Sequence, residues 1–224
     1  MKLIVDHADL DQIKEMFEYF PVSGVTTNPT IITRTGKDPY EVLKSIREFI
    51  GADAELHAQV ISSDAEGMMA EAKVMRETVG GNFYVKIPTT KEGLKAIKNL
   101  KKEGFKVTAT AVYTSIQAYL AAEAGADYVA PYLNRIDNLG YDGIQTACDI
   151  HDIFENNGYQ TKVLAASFKN TQQVLELAKY GVGAATGAPD VIRNFVNNVA
   201  VDSAVDAFVK DFNATYGDGK TMLK

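Results

Sequence analysis

Phe83-Tyr84-Val85-Lys86-Ile87-Pro88 is an apolar, β-rich run interrupted by a single lysine. Strand alternation puts Phe83, Val85 and Ile87 on one face and Tyr84, Lys86 and Pro88 on the other. The first set suits packing against covering helices, which leaves Lys86 pointing into whatever the opposite face encloses. An ammonium ion in the middle of a buried strand is costly, whereas a site that uses a neutral amine as nucleophile accommodates it. Lys86 is therefore a candidate Schiff-base lysine. The ordinary alternative is a lysine that snorkels from a strand end or pairs with a carboxylate. Thr89 and Glu92 follow at capping-box spacing and predict a helix directly after the strand.

This strand-then-helix unit recurs along the chain. Strands are predicted at Leu3–Asp6, Gly24–Asn28, Glu55–Val60, Phe83–Pro88, Val107–Val112, Tyr128–Leu133, Val163–Ser167 and Val182–Thr186. Asp9 can cap a helix carrying Leu10, Ile13, Phe17 and Phe20, and Pro39 suits the first turn of another. Ser63 with Glu66 repeats the capping-box spacing. Gly104, Gly125, Gly158 and Gly181 fall where helices should stop. Eight strands alternating with eight helices predict a (β/α)8 TIM barrel of the α/β class. A doubly wound open sheet is the structural competitor, but 224 residues in even units suit closure better. No linker or low-complexity tract interrupts residues 1–224, which read as one domain. Beyond the eighth unit, Val201, Val205, Phe208, Val209 and Phe212 line one face of an extra C-terminal helix over 201–214. Periodicity does not say whether this helix packs on the barrel or reaches a neighbouring subunit.

The same alternation applied to every strand places Asp6, Thr26, Asn28, Gln59, Thr110, Tyr132 and Ser167 inward, near the strand ends. Barrels of this type carry their active sites at the carboxyl ends of the strands. Buried polar atoms need partners, so such a ring of polar residues is hard to explain by packing, and it favours a catalytic Lys86. Metal chemistry finds little support: His7, His57 and His151 show no HxxxH or HExxH spacing. His57 reads as a hydrogen-bonded residue of the barrel interior. No GxGxxG turn or Walker loop points to a dinucleotide or ATP, and Ser167 lacks a nucleophile-elbow context. No cofactor and no metal are expected. A net charge of −6 and the lack of a basic tract argue against nucleic acid or an anionic membrane as partner. The single cysteine, Cys148, suits a reducing cytoplasm.

Several runs then become recognisable together: Gly24-Val25-Thr26-Thr27-Asn28-Pro29, Val85-Lys86-Ile87-Pro88, Thr110-Ala111-Val112-Tyr113, Ala130-Pro131-Tyr132-Leu133-Asn134-Arg135-Ile136-Asp137 and Ala165-Ala166-Ser167-Phe168. Across essentially the whole chain they resemble the small transaldolase family, and within it the fructose-6-phosphate aldolase branch. The resemblance implies a metal-free class I Schiff-base mechanism with Lys86 as the nucleophile. It implies that Asp6, Thr26 and Asn28 line the pocket and that Gln59, Thr110 and Tyr132 hold a catalytic water. Transaldolases of the family typically carry Glu, Asn or Thr, and Phe at those three positions. Arg135 and Ser167 match the phosphate-binding pair. The expected substrates are a sugar phosphate and a dihydroxyacetone-type donor. A ring-shaped homo-oligomer, pentamer or decamer, is implied, with the last helix reaching a neighbour. The alternatives are a transaldolase or a non-catalytic sugar-phosphate-binding barrel. From the residues alone, Arg135 can instead pair with Asp137 on the loop surface. Two positions depart from the family pattern. His7 stands where a small polar residue usually follows the aspartate, which is expected to alter how Asp6 is hydrogen-bonded. The segment Ala184-Ala185-Thr186-Gly187-Ala188-Pro189 is less hydrophobic than usual.

Overall fold

Eight parallel strands close on themselves in chain order in the computed structural model, which describes residues 1–223. Lys224, the last residue of the expected single domain, lies outside the described residues. The strands are β1 (Lys2–Asp6), β2 (Gly24–Thr26), β3 (Glu55–Gln59), β4 (Phe83–Pro88), β5 (Val107–Val112), β6 (Tyr128–Pro131), β7 (Lys162–Ala165) and β8 (Ala184–Gly187). The helices are α1 (Leu10–Tyr19), α2 (Pro29–Thr33), α3 (Pro39–Ile50), α4 (Ala65–Val79), α5 (Lys91–Lys102), α6 (Ser115–Glu123), α7 (Leu133–Asn138), α8 (Gly143–Asn157), α9 (Thr171–Tyr180), α10 (Pro189–Arg193) and α11 (Val199–Tyr216). The chain is thus a (β/α)8 barrel with an extra C-terminal helix. Its described residues form two compact units, Met1–Ile192 and the segment from Arg193 on.

Local signals account for most boundaries. Asp9 caps α1 by accepting from the N–H groups of Asp11 and Gln12, and Asp38 caps α3 with Pro39 in its first turn. Gly158 and Gly181 end α8 and α9 in left-handed backbone, as their spacing predicts. Two caps lie one residue later than expected. Asp64 rather than Ser63 caps α4, and Thr90 rather than Thr89 caps α5. Glu92 accepts from the N–H of Ala65 on the neighbouring unit instead of closing a capping box. Gly93 is required where α5 sits on β4, because a Cβ there would lie 1.8 Å from the carbonyl oxygen of Pro88.

The barrel separates two environments. Val5, Val25, Leu56, Val85, Ile87, Val107, Val129 and Val163 face outward into the layer between strands and helices, and all are buried. Inside, the register pairs His57 with Tyr84 and Gln59 with Lys86, so each inward layer can be followed from strand to strand. The amino-terminal half of the interior is unusually polar. His57 is fully buried, stacks on Tyr84 at a centroid distance of 4.5 Å, and shares a 2.9 Å hydrogen bond between Nδ1 and Thr108 Oγ1. Beneath it, the Glu55 carboxylate accepts from Lys2 Nζ at 2.5 Å and from the Tyr128 hydroxyl at 3.3 Å. His57 Nε2 faces the Glu55 carboxylate at 3.5 Å, a long polar contact.

These groups make stability pH-dependent. Burial alone would raise the Glu55 carboxyl, but the His57 imidazole and the Lys2 ammonium outweigh it and hold it at about 2, below the ordinary 4.5. Its contribution is present above pH 4.5 and is lost as pH falls toward 2. Burial also lowers His57 from its ordinary 6.5, so stability begins to fall below that pH, where the unfolded imidazole takes up a proton more readily. The thermal midpoint is expected to drop on acidification in these two stages. Glu55→Gln should lower it at neutral pH and flatten the second stage. An unchanged acid limb in that variant would remove Glu55 as its cause.

Candidate active site

The carboxyl ends of the strands surround a cavity of about 300 Å³, lined by Asp6, Thr26, Asn28, Gln59, Lys86, Tyr132, Arg135 and Ser167 among others. Eight of the nine residues expected from sequence therefore meet in one place. Thr110 is the exception. It is fully buried behind the cavity wall, and its Oγ1 lies 2.7 Å from the Tyr132 hydroxyl. The register of β5 against β6 shifts between Ala109 and Val112, and Ala111 takes a positive φ of 56°. That irregularity brings Ala111 to the cavity. Thr110 accordingly touches a cavity-lining residue, Tyr132, rather than the cavity itself.

Lys86 is 5% exposed, and its Nζ donates to the main-chain carbonyl of Thr27 at 2.7 Å. It is buried mid-strand and makes no salt bridge among the described residues, though its charge acts on the nearby Asp6 carboxyl. Asp6 Oδ1 accepts from Thr26 Oγ1 at 2.7 Å, and Thr26 Oγ1 lies 2.7 Å from Thr186 Oγ1. Burial pushes the Asp6 carboxyl up, outweighing the nearby Lys86 and the Thr26 hydrogen bond, so Asp6 is suited to carry a proton. His7 does not hydrogen-bond Asp6. Its Nδ1 instead accepts from the N–H of Asp9 at 3.1 Å.

Short helices, not strands, deliver three of the site residues. Strands were expected to run through Asn28, Leu133 and Ser167, but β2, β6 and β7 stop at Thr26, Pro131 and Ala165. Asn28 is the N-cap of α2 and uses its Oδ1 to accept from Ile31 N–H. Tyr132 is the N-cap residue of α7, and Arg135 lies within that helix. The first N–H groups of α7, on Leu133 and Asn134, donate to the carbonyls of Ala166 and Ser167 beyond β7. Those two bonds set Arg135 beside Ser167. Alternation was expected to turn Ser167 inward, but the inward residue of β7 is Leu164, which gives Ser167 the helix-facing parity. A left-handed backbone, φ 65°, turns it into the cavity instead.

Arg135 Nη1 donates to the Tyr113 hydroxyl at 3.4 Å, and its guanidinium lies 4.8 Å over the Tyr132 ring. It does not pair with Asp137, whose carboxylate accepts from Gly143 N–H and Gln173 Nε2. Thr186, Thr27, Ala111 and Tyr113 were not singled out from sequence. For Thr186 an alternation signal existed, since it follows the inward Ala184 by two positions. For Thr27 none did, because its main chain rather than its side chain meets Lys86. No cluster of three or more His, Cys, Asp or Glu among the described residues is arranged to hold a metal.

Fold and cavity together define a (β/α)8 barrel built around one buried lysine amine at its carboxyl end. Residues 3–222 match the family described as transaldolase/fructose-6-phosphate aldolase. A protein of Streptococcus pneumoniae named "Probable fructose-6-phosphate aldolase" is 43% identical over 213 residues, covering 95% of this chain and 96% of that protein. The chain belongs to the transaldolase/fructose-6-phosphate aldolase family.

Proposed function

We propose that the protein is a class I Schiff-base aldolase that reversibly cleaves fructose 6-phosphate into dihydroxyacetone and glyceraldehyde 3-phosphate. The observation that carries this reading is the Thr110–Tyr132 hydroxyl pair, 2.7 Å apart, with Tyr132 facing the same cavity as Gln59 and Lys86. Lys86 attacks the C2 ketone and becomes an iminium, which serves as electron sink for breaking the C3–C4 bond. A water held between Gln59 and Tyr132 takes the C4 hydroxyl proton as glyceraldehyde 3-phosphate departs. The enamine left on Lys86 is protonated at C3 from the same water and then hydrolysed to free dihydroxyacetone. Asp6 supplies and recovers the proton that moves on and off the carbinolamine oxygen. Thr26 and Asn28 hold sugar hydroxyls.

Trapping tests the reading. Borohydride added during turnover of fructose 6-phosphate should reduce the iminium to a stable adduct on Lys86, located by mass spectrometry. An active enzyme with Lys86 unmodified under these conditions would refute it.

Arg135 and Ser167 bind the phosphate, the guanidinium as a bidentate donor. Arg135→Ala should raise the Michaelis constant for glyceraldehyde 3-phosphate by about tenfold or more, the scale of a lost charge-assisted contact. Unphosphorylated aldehydes should be little affected, and equal effects on both would exclude Arg135 from phosphate binding.

The protein works as a homo-oligomer, a reading supported by α11. Val201, Val205, Phe208 and Val209 form an apolar stripe along its length. Carbohydrate metabolism in the cytoplasm fits this chemistry and the unpaired Cys148. Nucleic acid and membrane are not partners, in keeping with the net charge of −6.

A further inference from the structure

We propose that the main-chain carbonyl of Thr27 is a catalytic group, the acceptor that positions the Lys86 nitrogen and then takes the N–H of the iminium. The inference rests on Lys86 being the Schiff-base nucleophile. Thr27 O is the one hydrogen-bond acceptor of Lys86 Nζ among the described residues, at 2.7 Å. A carbonyl cannot accept a proton at neutral pH. Once Nζ has given up its extra proton, the contact orients one N–H and leaves the lone pair directed elsewhere, available to the substrate.

The step balances with groups already in the cavity. The neutral amine, the C2 ketone and the protonated Asp6 carboxyl give the iminium, one water and the Asp6 carboxylate. Nζ enters with two hydrogens and keeps one. The ketone oxygen leaves in the water with the other, together with the proton from Asp6. The iminium nitrogen then carries positive charge, one N–H and no lone pair. Buried as it is, that N–H needs an acceptor, and a charge-assisted bond is stronger than the neutral one it replaces. The Thr27 carbonyl supplies that acceptor at the position where Nζ already rests, and it fixes the plane in which the C3–C4 bond must align.

The sequence around Thr27 is built to hold that oxygen still. β2 ends at Thr26, which frees the Thr27 carbonyl from strand pairing. Thr27 is fully buried, and both its N–H and its Oγ1 donate to the His57 carbonyl, at 2.8 and 3.1 Å. His57 is in turn fixed by Thr108 and by its stack on Tyr84. Thr27 Oγ1 is thus a positioning group for the Thr27 carbonyl.

Two changes to the full-length protein test this. Replacing the amide between Thr27 and Asn28 by an ester weakens the carbonyl as acceptor while keeping every side chain. Thr27→Val removes the hydroxyl tether and keeps the shape, and Thr27→Ser restores the tether. The readouts are the single-turnover rate of borohydride trapping on Lys86, kcat and KM for fructose 6-phosphate. The ester should slow trapping and lower kcat about tenfold with KM nearly unchanged, the scale of weakening one bond to a charged group. Thr27→Val should show the same pattern in smaller degree, reversed in Thr27→Ser. Trapping at the wild-type rate in the ester protein would overturn the proposal while leaving the Schiff-base reading intact. Absence of any adduct in the wild type would instead remove the Schiff base itself.

Discussion

Lys86→Met is expected to reduce fructose 6-phosphate cleavage by about 10⁴-fold or more, the scale seen when a covalent nucleophile is removed and only binding and polar groups remain. Methionine keeps much of the length and apolar body of lysine but has no amine, so neither a carbinolamine nor an iminium can form. Lys86 sits between Val85 and Ile87, which face the outer layer, while Lys86 itself lines the cavity. The fold should therefore persist, with a thermal midpoint close to that of the wild type and with sugar phosphate still bound through Arg135. A progress curve followed by release of glyceraldehyde 3-phosphate measures the loss. Cleavage within tenfold of wild type would end the covalent mechanism. Negligible turnover in both proteins, with binding retained in both, would make this a sugar-phosphate-binding barrel.

Tyr132→Phe should lower the same cleavage by about 10²-fold or more, the usual effect of losing an acid–base partner. Phenylalanine fills the same volume over Thr110 and still offers its ring to the Arg135 guanidinium, so packing and phosphate binding change little. In the proposed mechanism, only the hydroxyl that orients the water toward the enamine carbon is lost. Release of free dihydroxyacetone depends on that proton delivery, whereas transfer of the enamine to an aldose phosphate does not. Tyr132→Phe should thus raise the ratio of transfer to cleavage. Gln59→Glu should do the same, because a carboxylate can act as base on the bound water. Wild-type cleavage in Tyr132→Phe would make transaldolase the better description.

The amino-acid sequence by itself determined the barrel and the inward place of Lys86 on its fourth strand. Period-two alternation separates Val85 and Ile87 from Lys86 whatever the rest of the chain does, and repeated strand–helix punctuation leaves few topologies open. For the same reason Asp6, Thr26, Gln59 and Lys86 were legible, since each lies in a strand whose parity is set locally. Tertiary structure decided what local periodicity cannot carry. Ser167 reaches the cavity through one left-handed residue, and Arg135 through α7, whose first N–H groups are held by carbonyls beyond β7. Thr110 was legible as polar and inward, but the shift in register beside Ala111 puts it behind Tyr132 rather than at the cavity. The acceptor for Lys86 is a main-chain oxygen that every residue possesses. No side-chain pattern could announce it, and Thr27 and Lys86 meet because β2 and β4 flank β3 in the sheet and the chain just past β2 lies beside the inward lysine of β4.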